Sequence, residues 1–123
     1  MRKAMDAKEL AKYQARARII KALAHPTRLF IVDELAQNGE RCVCELTEMV
    51  GADMSTVSRH LTILKNVGIV EDQRRGAQVY YRLRVGCVMN FFECVESVIK
   101  CNARYEREGD LALSDGAGFL PAV

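Results

Sequence analysis

Apolar and polar positions alternate along this chain with a period that changes from segment to segment. From about Ala7 to Ala24, Leu10, Tyr13, Ala17, Ile20 and Leu23 recur at helical intervals among Lys, Arg and Ala, which predicts a first helix. His25-Pro26-Thr27 breaks it. Pro26 suits the first turn of a new helix, where its missing N–H has no partner to lose, and His25 reads as the cap of that junction. The second helix carries Leu29, Val32, Leu35 and Ala36 on one face and stops at Asn38-Gly39.

A short third helix is predicted over about Val43 to Val50, ending at Gly51. Asp53 is a good N-cap for a fourth, about Met54 to Val67, that stops at Gly68. Two short helices joined by a Gly-containing turn make a helix-turn-helix. On the fourth helix Val57, Leu61 and Leu64 share one side, while Ser55, Arg59, Thr62 and Asn66 share the other. The segments Ile69 to Gln73 and Gln78 to Leu83 are rich in β-branched or aromatic residues and flank Arg74-Arg75-Gly76-Ala77, which predicts a hairpin wing with a basic tip. From about Cys87 to Arg107 a helical apolar pattern returns at Val88, Phe91 or Phe92, Val95, Val98 or Ile99 and Tyr105. The fold class is therefore mainly α with a β-hairpin wing, a winged helix-turn-helix. Residues 1–108 form one domain for DNA binding and dimerisation, and residues 109–123 form a flexible C-terminal tail.

Composition narrows the function. The chain has 123 residues, half of them apolar and about a quarter charged, which fits one small core. No apolar run approaches the roughly 20 residues that span a bilayer, and Met1-Arg-Lys-Ala-Met-Asp lacks a signal peptide's apolar stretch, so a cytoplasmic protein is expected. Five cysteines, an odd number, fit ligands, sensors or core fillers better than a disulfide framework. The net charge of +2 conceals an asymmetry. Residues 54–84 hold Arg59, Lys65, Arg74, Arg75, Arg82 and Arg84 against Glu71 and Asp72, a balance of +4, as expected of a surface that meets phosphates.

A reading helix enters the major groove with its N-terminal residues at the base edges. Ser55, Thr56 and Arg59 are then the base readers, with Ser58 and Lys65 nearer phosphate and Arg74 and Arg75 on the backbone or minor groove beside them. His60, beside the Leu61-Leu64 face, is expected to be packed and hydrogen-bonded rather than to act as a ligand or an acid-base group. No carboxylate pair, phosphate loop or nucleophile-base arrangement stands out, so an enzyme is not expected.

Ala24-His-Pro-Thr-Arg28, the helix Ser55-Thr-Val-Ser-Arg-His-Leu-Thr-Ile-Leu64, the Gly68-Ile-Val turn and the wing resemble the ArsR/SmtB family of metal-responsive repressors, over about residues 15 to 105. Cys42-Val-Cys-Glu-Leu46 is similar to the metal-binding box of its arsenic- and cadmium-sensing branches. The resemblance implies a homodimer whose helical interface comes from the first and last helices. It also implies a repressor that leaves operator double-stranded DNA when its inducer binds.

Cysteines at i and i+2 point about 200° apart on a regular helix but to the same side of an extended segment. Gripping one ion through Cys42 and Cys44 would thus require a loose or distorted start to the third helix. Soft thiolates suit As(III) or Sb(III), and also Cd(II), Pb(II) or mercury. In arsenic-sensing relatives a third cysteine follows three residues after the second; Thr47 stands there in this chain. Cys87, Cys94 and Cys101 are spaced by seven, about 10 Å between neighbours, and cannot share one ion. Cys94 or Cys101 could complete a site with Cys42 and Cys44, and the alternative is that all three line a dimer interface as small apolar residues. A redox or persulfide switch on the same thiols keeps the DNA-binding role. A thiol-disulfide enzyme is a different class, disfavoured because no thioredoxin-like βαβ pattern is present, and a plain interaction module built on the last helix predicts no DNA binding.

Overall fold

The computed structural model describes residues 3–107, so the predicted tail, 109–123, lies outside the described residues. The chain divides into two compact units, the first running through Val85 and the second from Gly86. The first holds α1 (Ala7–Leu23), α2 (Pro26–Asn38), β1 (Arg41–Cys42), α3 (Val43–Val50), α4 (Met54–Asn66), β2 (Val70–Arg75) and β3 (Gln78–Leu83). The strands form an antiparallel sheet in the order β1-β3-β2. The second unit holds α5 (Val88–Arg107).

Local chemistry explains the boundaries. Asp6 caps α1 by accepting from the Glu9 amide at 2.8 Å. His25, in extended backbone, accepts from the Thr27 amide through Nδ1 at 3.1 Å, and Pro26 takes the first helical position of α2. Gly51 closes α3 in the left-handed conformation at φ 77°, and Asp53 opens α4. The wing differs from expectation in one respect: Arg74 and Arg75 finish β2, and only Gly76 and Ala77 turn the chain.

The core of the first unit gathers Ile31, Val32 and Leu35 of α2, Leu46 of α3, Val57, Leu61 and Leu64 of α4, and Ile69, Val70 and Tyr81 at the base of the wing. Burying each of the large aliphatic side chains contributes roughly 1.5–3 kcal/mol. Leu29, expected on the inner face of α2, is exposed, and Ile31 takes its place. The apolar stripe of α1 at Leu10, Tyr13 and Ile20 is uncovered. α5 buries no residue, and Phe91, Val95, Val98, Ile99 and Tyr105 are exposed along it. Among the described residues no helix is long and apolar enough to cross a membrane.

Candidate DNA interface and thiol site

α4 is fixed at both ends. At its start Asp53 accepts from the Thr56 amide at 2.7 Å and from the Ser55 hydroxyl at 2.9 Å. The Thr56 hydrogen bonds, then that of Ser55, hold its carboxyl below the ordinary value of 3.8, so the cap is charged at neutral pH. At its end Lys65 donates to Asp72 of β2 at 3.0 Å, which raises the lysine pKa and ties the helix to the wing. Ser55, Arg59, Thr62 and Asn66 are exposed on one side, opposite buried Val57, Leu61 and Leu64, as the pattern predicted. Thr56 and Ser58 are half-buried beside them.

Beneath α4 lies a joint of basic side chains. Arg28 donates through Nε to the Ala22 carbonyl at the end of α1, and its Nη1 lies 3.0 Å from His60 Nδ1. The His25 and His60 rings are 4.4 Å apart between centroids. Burial first, then the electrostatic influence of the neighbouring His25 and Arg28, holds His60 below the ordinary 6.5. His60 is thus the packed, hydrogen-bonded histidine the sequence suggested, and it joins α4 to α1 and α2.

The wing carries several partners that sequence reasoning missed. Arg82 and Glu71 face each other in register and pair at 2.7 Å. Arg74 donates forward to the Gly76 carbonyl in the turn at 3.4 Å. Arg75 pairs with Glu40, and its guanidinium lies 4.7 Å from the centroid of the Tyr80 ring. Glu40 and Arg75 are separated by 35 positions, and nothing local marks such a pair. The Lys65–Asp72 and Arg75–Glu40 pairs mean that two of the expected phosphate contacts already hold carboxylates.

The thiol pair sits beside the outer half of β3. Cys42 ends β1, where it is paired with Tyr80 of β3, and it is also the N-cap of α3 in extended backbone. Cys44 is the second residue of the helix. Because the cap residue lies outside the helix, the two Cα atoms are 5.4 Å apart and the sulfurs meet as a disulfide. The expected distortion of the third helix is therefore not needed: the strand-to-helix junction alone brings the pair together. The Cys42 sulfur accepts from the Glu45 amide at 3.4 Å while the Cys42 amide donates to the Glu45 carboxylate at 3.0 Å, a capping box with sulfur in place of oxygen. Cys42 is buried and Cys44 exposed, with Gln78 Oε1 of β3 3.2 Å from the Cys44 sulfur. A signal was available: Cys42 followed three residues later by Glu45 has the spacing of a capping box.

Cys87 precedes α5, Cys94 and Cys101 lie on it, and all three are exposed within their own unit. Among the described residues no three His, Cys, Asp or Glu side chains are grouped to hold a metal ion.

Comparison with known proteins places this arrangement. Residues 25–72, from the His25 cap through the reading helix to Asp72, match the family described as "Bacterial regulatory protein, arsR family". An arsenical resistance operon repressor of Bacillus subtilis is 40% identical over 74 residues, covering 60% of this chain and 68% of that protein. A homolog of the cadmium resistance regulatory protein CadC from Staphylococcus aureus is 40% identical over 78 residues, covering 62% of this chain and 64% of that protein. For several curated relatives, this one among them, the chain thus spans less than two thirds of their length. A homodimeric winged helix-turn-helix domain from Mycobacterium bovis is 35% identical with a TM-score of 0.69, covering 85% of this chain and 95% of that one. Together with the reading helix and wing, these matches show that the chain belongs to the arsR family of DNA-binding transcriptional regulators.

Proposed function

We propose that the protein is a homodimeric transcriptional repressor of the arsenic-sensing kind. It holds operator double-stranded DNA through Ser55, Thr56, Ser58, Arg59, Lys65, Arg74 and Arg75 and leaves it when As(III) or Sb(III) binds Cys42 and Cys44. The observation that carries this reading is the meeting of the two sulfurs at the junction between the wing and α3. Once reduced, two thiols on Cα atoms 5.4 Å apart, one outside the helix and one in its first turn, can both reach a thiophilic ion without unwinding the helix, and each sulfur touches an element that borders DNA. Cys42 caps the helix that packs on α4, and Cys44 abuts Gln78, the first residue of β3 after the wing's turn. Ligand and DNA then compete through one set of contacts. In this proposal the third sulfur of a trigonal site comes from Cys94 or Cys101. Residues 1–108 are the working domain, acting in the cytoplasm, where thiols stay reduced. Dimerisation is supported by the uncovered apolar stripes of α1 and α5 and by the homodimeric M. bovis relative. The cadmium-resistance relative makes Cd(II) the first competing inducer.

The test is native mass spectrometry of the fully reduced protein, titrated anaerobically with arsenite, antimonite, cadmium and zinc, and repeated on Cys42→Ser, Cys94→Ser and Cys101→Ser. An arsenic adduct that loses three thiol protons and disappears in Cys42→Ser and one α5 variant is expected. No adduct with any ion refutes metal sensing. The same sulfur contact favours a second reading, in which a two-electron oxidant such as a peroxide or a small-molecule disulfide takes two electrons and two protons from Cys42 and Cys44, and the resulting disulfide, with no ion bound, releases DNA. Release by arsenite under strictly reducing conditions eliminates it.

A further inference from the structure

Arg75 occupies the place where a wing would touch the DNA backbone, yet three of its five N–H donors are engaged. Nη1 donates to one carboxylate oxygen of Glu40 and Nη2 to the other, and Nη2 also reaches Gln73 Oε1 at 2.8 Å. The guanidinium plane is held over Tyr80. Carboxylate and phosphate present the same paired oxygens to this fork. Glu40 lies just outside the sheet, one residue before β1.

We infer that Glu40 is an intramolecular stand-in for a DNA phosphate: it holds Arg75 while the protein is free and must be displaced before the wing grips the backbone. The inference rests on the DNA-binding reading. Exchange is feasible because the side chains are 45% and 29% exposed. A surface pair of this kind contributes little and is screened by salt, whereas a DNA phosphate offers the same fork and also releases a counterion. Glu40 therefore tunes affinity downward and leaves Arg75 prearranged over Tyr80 for its second partner. It is a positioning residue that itself touches no DNA.

The test is a double-mutant cycle on the full reduced chain, read by fluorescence anisotropy with a labelled duplex of mixed sequence across a salt series. Glu40→Gln is expected to tighten binding about 2- to 5-fold and to steepen the dependence of log K on log salt by up to about one. Arg75→Gln weakens binding, and in its background Glu40→Gln has no more effect than Glu48→Gln, which removes a charge elsewhere on the surface. Equal effects of Glu40→Gln in both backgrounds, or none in the wild type, overturn the inference. A wild-type chain that binds no duplex at any salt overturns the DNA-binding reading itself, so the two failures are distinguishable.

Discussion

Replacing Cys42 separates two jobs that one sulfur performs. Cys42→Ala removes the acceptor that caps the Glu45 amide and empties a site only 4% exposed. Loss of an N-cap costs about 0.5–2 kcal/mol, and sulfur, a weak acceptor at 3.4 Å, belongs at the low end. The methyl-sized void adds about 1 kcal/mol. The sum, roughly 1.5–2 kcal/mol, lowers Tm by about 6–9 °C in a domain of this size. Cys42→Ser restores a better capping oxygen while removing the thiol, so it should recover about 1 kcal/mol of that loss. The assay is thermal and urea denaturation of the fully reduced, metal-free proteins by circular dichroism, at one fixed protomer concentration because a dimer's stability depends on it. Equal stability of the Ala and Ser variants would refute the capping role. The result bears on sensing, since a ligand that takes the Cys42 lone pairs also withdraws the cap of α3.

Three further outcomes are expected. Gly68 sits at φ 83°, and a Cβ there would meet Arg84 Nη1 at 2.9 Å; that nitrogen donates to the Gly68 carbonyl at 3.1 Å. Gly68→Ala should cost about 1–2 kcal/mol for the backbone, as Gly51→Ala does in open space at φ 77°, plus roughly 0.5 kcal/mol for the displaced hydrogen bond; equal losses in urea melts would remove the Arg84 contribution. His60 titrates below 6.5 when folded, so as pH falls through 6.5 the unfolded chain takes up the proton first and stability declines until the lowered folded value is passed. His60→Asn should flatten that decline in pH-dependent melting, and an unchanged profile would assign it to other groups. Arg59→Ala should weaken duplex binding and reduce the salt slope if it meets phosphate, or relax base preference by about 1–3 kcal/mol at one position if it reads an edge; an operator titration showing neither would remove Arg59 from the interface.

The helices were legible because their ends carry local chemistry. Pro26 and Gly39 bound α2, and Gly51 and Asp53 mark the turn between α3 and α4. β1 was not, since two residues display no alternation and Arg41 and Cys42 pair with Tyr81 and Tyr80 far along the chain. The thiols were found by their spacing, but the loose or distorted helix start expected for them is in fact a regular first turn with Cys42 as its extended cap. The charged face was found as a sum of charges. How much of it is already spoken for, by Glu40 and Asp72, depends on the strands folding back on the chain, and no periodicity reports that.

The joint of Ala22, His25, Arg28 and His60 has a consequence for operator architecture. It couples the last turn of α1 to the middle of the reading helix, so α4 does not swivel without breaking the Arg28 contacts. If two copies associate through α1, the separation of their reading helices is set by that joint and not by any hinge. Half-sites would then have to recur at whole helical turns, about 34–36 Å or multiples. A spacer lengthened by half a turn would carry one half-site round to the far side of the duplex, and reaching it would require breaking the Arg28 contacts.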